Sequence, residues 1–424
     1  MDLQLMDGAR VCIVGGGPAG SFAALHLLRL AKERGVQLEV LIFEPRDFSR
    51  PGPGGCNRCA GILSSRLLRG LDSLGLSLPK EAIQAELHAY AVYLDGQVVR
   101  IERPDPARRI VSVYRGGGPR LQVGEPVSSF DDFLLAQACA HGAQHIHARV
   151  HHVEWADRPV VLTAHEHYDA DLVVLATGVN SRAPLSPAFG YRPPKTESMA
   201  QDEIMRPASW PADQVSVFFR KPPGLTFGAL IAKGRYLSIS LLGRGLTRDT
   251  VSDFIELQGL DSALGSGPTS LCGCTPRIAV RPAQKYYGNR WVAVGDAAVT
   301  RLYKDGIGSA FYTAQSAMQA AVQQGVSQRA FQDAYAAHCR HVARDNLYGR
   351  MLFRVWSRVL GSPTLLRAWT GTMRSEASRP AGQRVHHRIL WGMFTGDELY
   401  RQLFWLAVGP GSLGSLARGW WNAR

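Results

Sequence analysis

Arg10-Val11-Cys12-Ile13-Val14-Gly15-Gly16-Gly17-Pro18-Ala19-Gly20 decides the fold. The short apolar, β-branched run reads as a buried strand, and the glycines behind it stop that strand in a tight turn. Ser21–Arg34 then carries apolar residues at helical spacing, and Leu38–Phe43 is a second strand ending at Glu44. Strand, glycine turn, helix and strand make a βαβ unit. Within it, Gly15-x-Gly17-x-x-Gly20 has the spacing that accepts a dinucleotide. Gly15 makes the turn, Gly17 lets backbone approach a pyrophosphate, and Gly20 lets the helix pack on the strand. The helix N-terminus, with Ala19 in its first turn, offers N–H groups and a positive dipole end to the phosphates. Glu44, followed by Pro45 and Arg46, ends the second strand 24 residues after Gly20. A carboxylate there suits a ribose hydroxyl and repels a 2′-phosphate. The plain alternative is a glycine-rich turn followed by an incidental Glu, and the strand–helix–strand context argues against it.

Beyond this unit, Pro45–Gly61 is a loop rich in Gly, Pro and Cys. Ala89–Leu94 and Val98–Ile101 alternate like antiparallel strands, Phe130–His141 has helical spacing, and His147–Thr163 is strand-like. Asp171–Ala176 is a buried strand opening into Thr177-Gly178. Residues 214–243 alternate again, and Arg290–Val294 is another buried strand, closed by Gly295-Asp296. Helical patterns run from Ile307 to the end. The strands near 11, 40, 173 and 292 are expected in one sheet. The fold class is α/β: a Rossmann-type dinucleotide domain (8–84, 120–185 and 286–330), an inserted β-rich substrate domain (85–119 and 186–285) and a helical C-terminal region (331–424).

Gly295-Asp296-Ala297-Ala298 is the second anchor. A carboxylate just past a buried strand accepts hydrogen bonds from a sugar-alcohol chain. The following Gly306-Ile307-Gly308 presents backbone N–H groups to the edge of a flavin ring. With Gly15–Gly20, Ala176-Thr177-Gly178-Val179-Asn180-Ser181 and Gly295–Ala298 in one chain, roughly residues 9–330 resemble the flavoprotein family of geranylgeranyl reductases, aromatic hydroxylases and electron-transfer-flavoprotein dehydrogenases. The resemblance implies FAD as cofactor, with NAD(P)H or reduced ferredoxin as electron donor. Cys59-Ala60-Gly61-Ile62-Leu63-Ser64 is similar to the Cys-Gly-Gly-Gly-Leu-Ser loop of the geranylgeranyl reductase branch. That likeness implies Cys59 and Ala60 beside the flavin. The sequence departs from the hydroxylases at Thr177-Gly178 and at Val299–Asp305, lacks the halogenase tryptophan motif, and has no Trp-x-Phe-Pro pattern around Phe227-Gly228. The arginine that normally precedes the Phe-Asp helix is absent near Val127–Ser129.

Other features admit a chemical and a plain reading. Cys56-x-x-Cys59 and Cys272-x-Cys274 are a metal site, a redox-active disulfide or simple thiols packed in loops. His145/His147 and His165/His167 would share a face on paired strands, as metal ligands or on a solvated surface. Lys304 is either a cation that stabilises reduced flavin, and so with Cys59 a catalytic candidate, or a surface turn residue. Arginines and large aromatics crowd the C-terminal quarter: Trp356, Trp369, Trp391, Phe394, Phe404, Trp405, Trp420 and Trp421. They suit peripheral contact with an anionic membrane, or a helical cap packed inward.

The composition is that of an ordinary globular protein, with 46% apolar and 20% charged residues over 424 positions. The net charge of +13 comes almost entirely from arginine. No nucleic-acid module is recognisable, so a membrane-facing or merely arginine-rich protein is favoured over a nucleic-acid binder. Seven cysteines, no secretory leader and no uninterrupted spanning stretch lead to the expectation of a cytoplasmic chain with mostly reduced thiols, either free or peripheral on the inner face of the cell membrane. The sequence leaves the oligomeric state open. The leading expectation is a reductase or dehydrogenase acting on a carbon–carbon bond of an apolar, isoprenoid- or quinone-like substrate. The rivals are an FAD-dependent monooxygenase, and an electron-transfer flavoprotein docking a ferredoxin-like partner or membrane quinone.

Overall fold

The computed structural model describes residues 3–56, 60–94, 96–265 and 268–422. The chain opens with β1 (Arg10–Val14), α1 (Pro18–Arg34) and β2 (Glu39–Phe43). Pro18 suits the first turn because its φ is preset and its missing N–H would have no acceptor there. Gly35 stops α1 in the left-handed conformation, φ 69°. Next come β3 (Ile62–Leu63), α2 (Ser65–Ser73), β4 (Ile83–Leu87), the hairpin of β5 (Ala89–Leu94) and β6 (Gln97–Glu102), and β7 (Ile110–Val113). The Ser129 hydroxyl caps α3 (Phe130–Ala140) by accepting from the Asp132 N–H, and β8 (Gln144–Ile146) follows. An antiparallel meander of β9 (His152–Trp155), β10 (Pro159–Leu162) and β11 (His167–Asp169) precedes β12 (Leu172–Leu175). Then come β13 (Thr196–Met205), β14 (Gln214–Phe218), β15 (Leu225–Lys233), β16 (Tyr236–Gly243), α4 (Thr250–Leu257) and α5 (Asp261–Leu264). β17 (Arg277–Ala279), β18 (Tyr287–Gly288) and β19 (Trp291–Ala293) complete the strands. The rest is helical: α6 (Gly306–Gln323), α7 (Gln328–Ala330), α8 (Ala336–Gly361), α9 (Pro363–Ala377), α10 (Val385–Thr395), α11 (Tyr400–Val408) and α12 (Pro410–Asn422).

The first sheet has the order β18-β19-β12-β1-β2-β8 and is parallel except at β18. The four strands expected together are therefore adjacent. Their apolar runs lack polar alternation because both faces are covered. On one face Phe22 of α1, Leu134 of α3 and Phe311 of α6 pack over Ile13, Ile42 and Val174. On the other, Val153 and Val161 of the meander meet Cys12, Leu41 and Val173. The histidine expectation is corrected here. β8 belongs to the parallel sheet and β11 to the meander, so His145/His147 and His165/His167 do not sit on paired strands.

The second sheet has the order β17-β13-β16-β15-β14-β5-β6, with β14 and β5 the parallel pair. It too is covered twice. Phe254 of α4 lies on Phe218, Leu230 and Ile239. Across the sheet, Val217, Phe227, Ala229 and Ile231 pack with Trp356, Trp369, Met373 and Trp391 of the C-terminal helices. The small sheet β3-β7-β4 joins the two units, and the Ser112 hydroxyl donates to the Ala232 carbonyl at 2.7 Å.

In the C-terminal helices Trp391 is fully buried, edge-on to Tyr90 at 5.5 Å, and Trp356 meets Trp369 at 4.8 Å. Most of the aromatic content is therefore core, whereas Trp405 and Trp421 stay 58% and 72% exposed. Buried Glu376 of α9 accepts from the His386 N–H (2.8 Å) and Nδ1 (2.7 Å), and His386 Nε2 meets the Ser412 hydroxyl at 3.1 Å. One carboxylate thus ties α9, α10 and α12 together. Among the described residues no helix is long and apolar enough to cross a membrane.

Candidate cofactor and active site

The carboxyl ends of β1, β2, β12 and β19 lie side by side, which is where open α/β sheets take their ligands. At β1, Gly15 adopts φ 109°, and a side chain there would place Cβ 2.7 Å from the Ala176 carbonyl oxygen. A Cβ on Gly20 would lie 1.8 Å from the Gly15 oxygen. Helix and strand approach this closely only because both positions lack side chains. Gly17 is the extended N-cap of α1.

Glu44 is 2% exposed and firmly held. Its Oε2 accepts from the Gly16 N–H at 3.1 Å, and its Oε1 from the Arg46 N–H and Nε at 3.1 and 3.0 Å. Its carbonyl accepts from His145 Nε2 at 2.9 Å. Beyond it opens a cleft of about 550 Å³ lined by Pro45, Arg46, Asp132, Leu135, His145 and His147.

Gly295 (φ 62°) brings Asp296 to the same edge. A Cβ on Gly295 would lie 2.8 Å from that of Ala19, so the two dinucleotide segments touch. Burial raises the Asp296 carboxyl above its ordinary value, against the charge of Arg115 and a hydrogen bond with Thr300. No arginine immediately precedes Phe130 in sequence, but Arg115 reaches the first turn of its helix. Its Nε and Nη2 grip the two oxygens of fully buried Asp131 at 2.9 Å each. It comes from the end of β7, and the Phe130 N–H donates to the Tyr114 carbonyl at 2.8 Å, closing the neck of loop 115–128. Loop 115–128 separates Arg115 from Phe130 in the sequence. The readable signal was Asp131, an acidic residue in the first turn of a helix whose burial demands a cation.

At α6, Asp305 is left-handed (φ 57°), and Gly306 and Gly308 follow. The Ser64 hydroxyl donates to Asp305 Oδ1 at 3.1 Å. A Cβ on Gly308 would fall 2.4 Å from that oxygen, so the carboxyl lies over the first turn. Burial pushes the Asp305 carboxyl up to about 7, opposed by Arg301, Ser64 and Arg66 and assisted by Asp397. A Cβ on Gly306 would sit 3.7 Å from Asp296 Oδ1, so the second anchor and this helix start face each other. Lys304 stacks its ammonium on the Phe227 ring at 4.3 Å, which directs it toward the second sheet.

One cluster escaped the sequence reading. Lys233, 2% exposed, holds Nζ 3.6 Å from Glu203 Oε1 and 4.6 Å above the Tyr114 ring. Tyr114 and Ser238 donate their hydroxyls to Glu203 at 3.2 and 2.6 Å. Burial and the Glu203 carboxylate push the Tyr114 phenol well above its ordinary value. A Cβ on Gly61 would sit 3.5 Å from Lys233 Nζ, which puts the cluster against the loop that includes Ala60. The lone lysine ending the apolar run Leu225–Ala232 was the available signal.

Cys59 lies outside the described residues, so its expected role and the four-thiol set are untouched by the structure. Cys56 packs beside Gly116, whereas Cys272 and Cys274 lie along β13 near Asp202 and Gln201. Cys12, Cys139, Cys272 and Cys339 are free thiols, and burial raises Cys272. Among the described residues no group of three or more ligating side chains could hold a metal.

No family model matches the chain, and neither does any curated protein sequence. Solved structures do. A flavoprotein/dehydrogenase from Cytophaga hutchinsonii superposes with TM-score 0.67 at 16% identity, over 98% of this chain and 99% of its own. A geranylgeranyl bacteriochlorophyll reductase-like protein from Thermoplasma acidophilum gives 0.64 at 16%, over 99% and 98%. The tetrameric form of 2-methyl-3-hydroxypyridine-5-carboxylic acid oxygenase gives 0.55 at 16%, over 83% and 91%. The chain has the flavoprotein fold to which its three motifs point.

Proposed function

We propose that the chain is an FAD-dependent oxidoreductase of the reductase or dehydrogenase type, acting on a carbon–carbon bond of an apolar, isoprenoid- or quinone-like substrate. The observation that carries the cofactor is the convergence of Gly15–Gly20, Glu44, Gly178, Asp296 and Gly306–Gly308 on one edge of a parallel sheet. The residues fit the group. The buried Thr177 hydroxyl has no hydrogen-bond partner among the described residues, and a Cβ on Gly178 would meet nothing within 4 Å. Gly15–Gly20 and the first turn of α1 would hold the pyrophosphate, Glu44 the ribose, and Asp296 the sugar-alcohol chain. The cleft at Arg46 would take the adenine end, and the start of α6 the pyrimidine edge.

Bound FAD supplies the two-electron chemistry, as hydride or as single electrons. The protein supplies position and charge. The N-terminus of α6 and the Lys304 ammonium favour negative charge at the site between them. Asp305 keeps a proton available near neutral pH next to Ser64, and Tyr114 keeps its phenolic proton on Glu203. The Phe227 ring beneath the Lys304 ammonium is an apolar surface close to the start of α6, which supports an apolar substrate. The reductase-like and dehydrogenase neighbours support this reading. The oxygenase neighbour supports a second one, an FAD-dependent monooxygenase.

An anaerobic visible spectrum tests both, recorded before and after adding NADH, NADPH and then dithionite. Flavin bands bleached by a nicotinamide support the reductase and name its donor. Bleaching by dithionite alone points to a ferredoxin-like donor. Oxygen uptake coupled to a hydroxylated product moves the assignment to the monooxygenase. A protein without flavin bands that added FAD does not restore would overturn the cofactor.

A further inference from the structure

The outer surface of the C-terminal helices has one sign of charge. Between Ala336 and Asn422 the acidic residues are Asp345, Glu376, Asp397 and Glu398, and none is exposed. Asp345 accepts the N–H groups of Tyr400 and Arg401 at 3.0 and 2.9 Å, and Glu376 binds His386. Asp397 binds Ser65 and Trp391, while Glu398 binds Arg108 and Arg388. The exposed charges are arginines, among them Arg344, Arg354, Arg358, Arg367, Arg401 and Arg418.

The last two helices also expose apolar side chains at helical spacing, beside Arg401 and Arg418 in sequence. On α11, Arg401, Trp405 and Val408 are exposed one turn apart. On α12, Leu413, Ala417 and Trp421 repeat that spacing, with Arg418 alongside. Trp405, Val408, Leu413 and Trp421 are 58%, 40%, 54% and 72% exposed. These two helices follow each other through Gly409, and both bury their opposite faces in the cap.

An occupant of this face must be anionic and must accept indole rings. A second copy of the same face would bring like charges together. A nucleic-acid duplex offers phosphates but no apolar phase for Trp, Leu and Val. The surface of an anionic bilayer offers both, and basic helices with exposed Trp and Leu lie in that interface. We propose that the outer face of α11 and α12 docks onto anionic lipid bilayers, with Trp405 and Trp421 at headgroup depth and Arg401 and Arg418 on the lipid phosphates. This does not depend on the reaction proposed above.

Flotation of the full chain with vesicles tests it. Binding is expected with phosphatidylcholine containing phosphatidylglycerol, not with phosphatidylcholine alone, and it should reverse at high salt. Tryptophan emission should shift to the blue on binding. Arg401→Gln/Arg418→Gln should weaken binding roughly twenty-five-fold, about five-fold for each lost charge. Trp405→Ser/Trp421→Ser should weaken binding and abolish the blue shift, with thermal unfolding of both variants unchanged. Four outcomes would overturn the proposal: no binding to anionic vesicles, equal binding to neutral ones, binding indifferent to both variants, or tighter binding to duplex DNA at the same salt.

Discussion

Gly20 tolerates no side chain, because the nearest atom to an added Cβ is a backbone oxygen at 1.8 Å, which cannot swing aside. Gly20→Val is expected to abolish FAD binding in a fluorescence titration and to lower the melting temperature. Glu44 acts through charge-assisted hydrogen bonds worth about 1.5–3 kcal/mol. Glu44→Ala should therefore weaken FAD roughly ten- to hundred-fold by calorimetric titration. Asp305 gives a pH signature. Its carboxyl titrates near 7 in the fold against an ordinary value of 3.8. Between those values the unfolded chain has lost the proton and the folded one keeps it, so this group's contribution to stability falls as pH rises. Asp305→Asn should flatten that decline in urea unfolding measured from pH 4 to pH 8; an unchanged slope would refute the assignment. At this scale the sequence disclosed the residues that follow a fixed spacing, Gly15 to Glu44 and Gly295-Asp296. Arg115 and the Lys233–Glu203–Tyr114 cluster stayed hidden because their partners are remote in sequence.

Among the elements, the strands of the parallel sheet were legible because a strand covered on both faces is an unbroken apolar run. The C-terminal helices were not. Periodicity finds a helix, but Trp391 and Trp421 sit in equally aromatic segments, and only packing distinguishes the buried ring from the exposed one. Trp391→Ala is expected to cost about 3–5 kcal/mol in chemical denaturation, whereas Trp421→Ala should be nearly neutral. Glu376 is the polar counterpart. Burial alone would raise its carboxyl, but hydrogen bonds from His386 and His387 prevail and hold it at about 2. Because that lies below its ordinary 4.5, its stabilisation is fully present above pH 4.5 and is lost as pH falls toward 2. Glu376→Gln should remove this acid sensitivity and loosen α9, α10 and α12 together, which hydrogen exchange would register.

Across the whole molecule, the C-terminal helices complete the second sheet. A chain ending at Tyr335 would leave Val217, Phe227 and Ile231 bare, and we expect it to aggregate, as light scattering would show. Alternation along residues 214–243 revealed that sheet but not its covers, because strands buried on both faces, such as β16, conceal which element lies on each side. Loop 115–128 has a mechanical consequence. Hydrogen bonds fix it to the first unit, among them Gly52 to Gly118 and Gly117 to Arg50, and to the second, among them Leu121 to Leu271, Val123 with the Tyr236 hydroxyl and Arg235 to the Glu125 carbonyl. Hydrogen bonds are directional and fail abruptly, while apolar contacts slide. The molecule is therefore stitched on both sides, by this loop and, beneath its C-terminal helices, by Arg108 to Glu398, Ser65 to Asp397 and the Tyr400 hydroxyl to the Leu302 carbonyl, so neither side peels away freely under load.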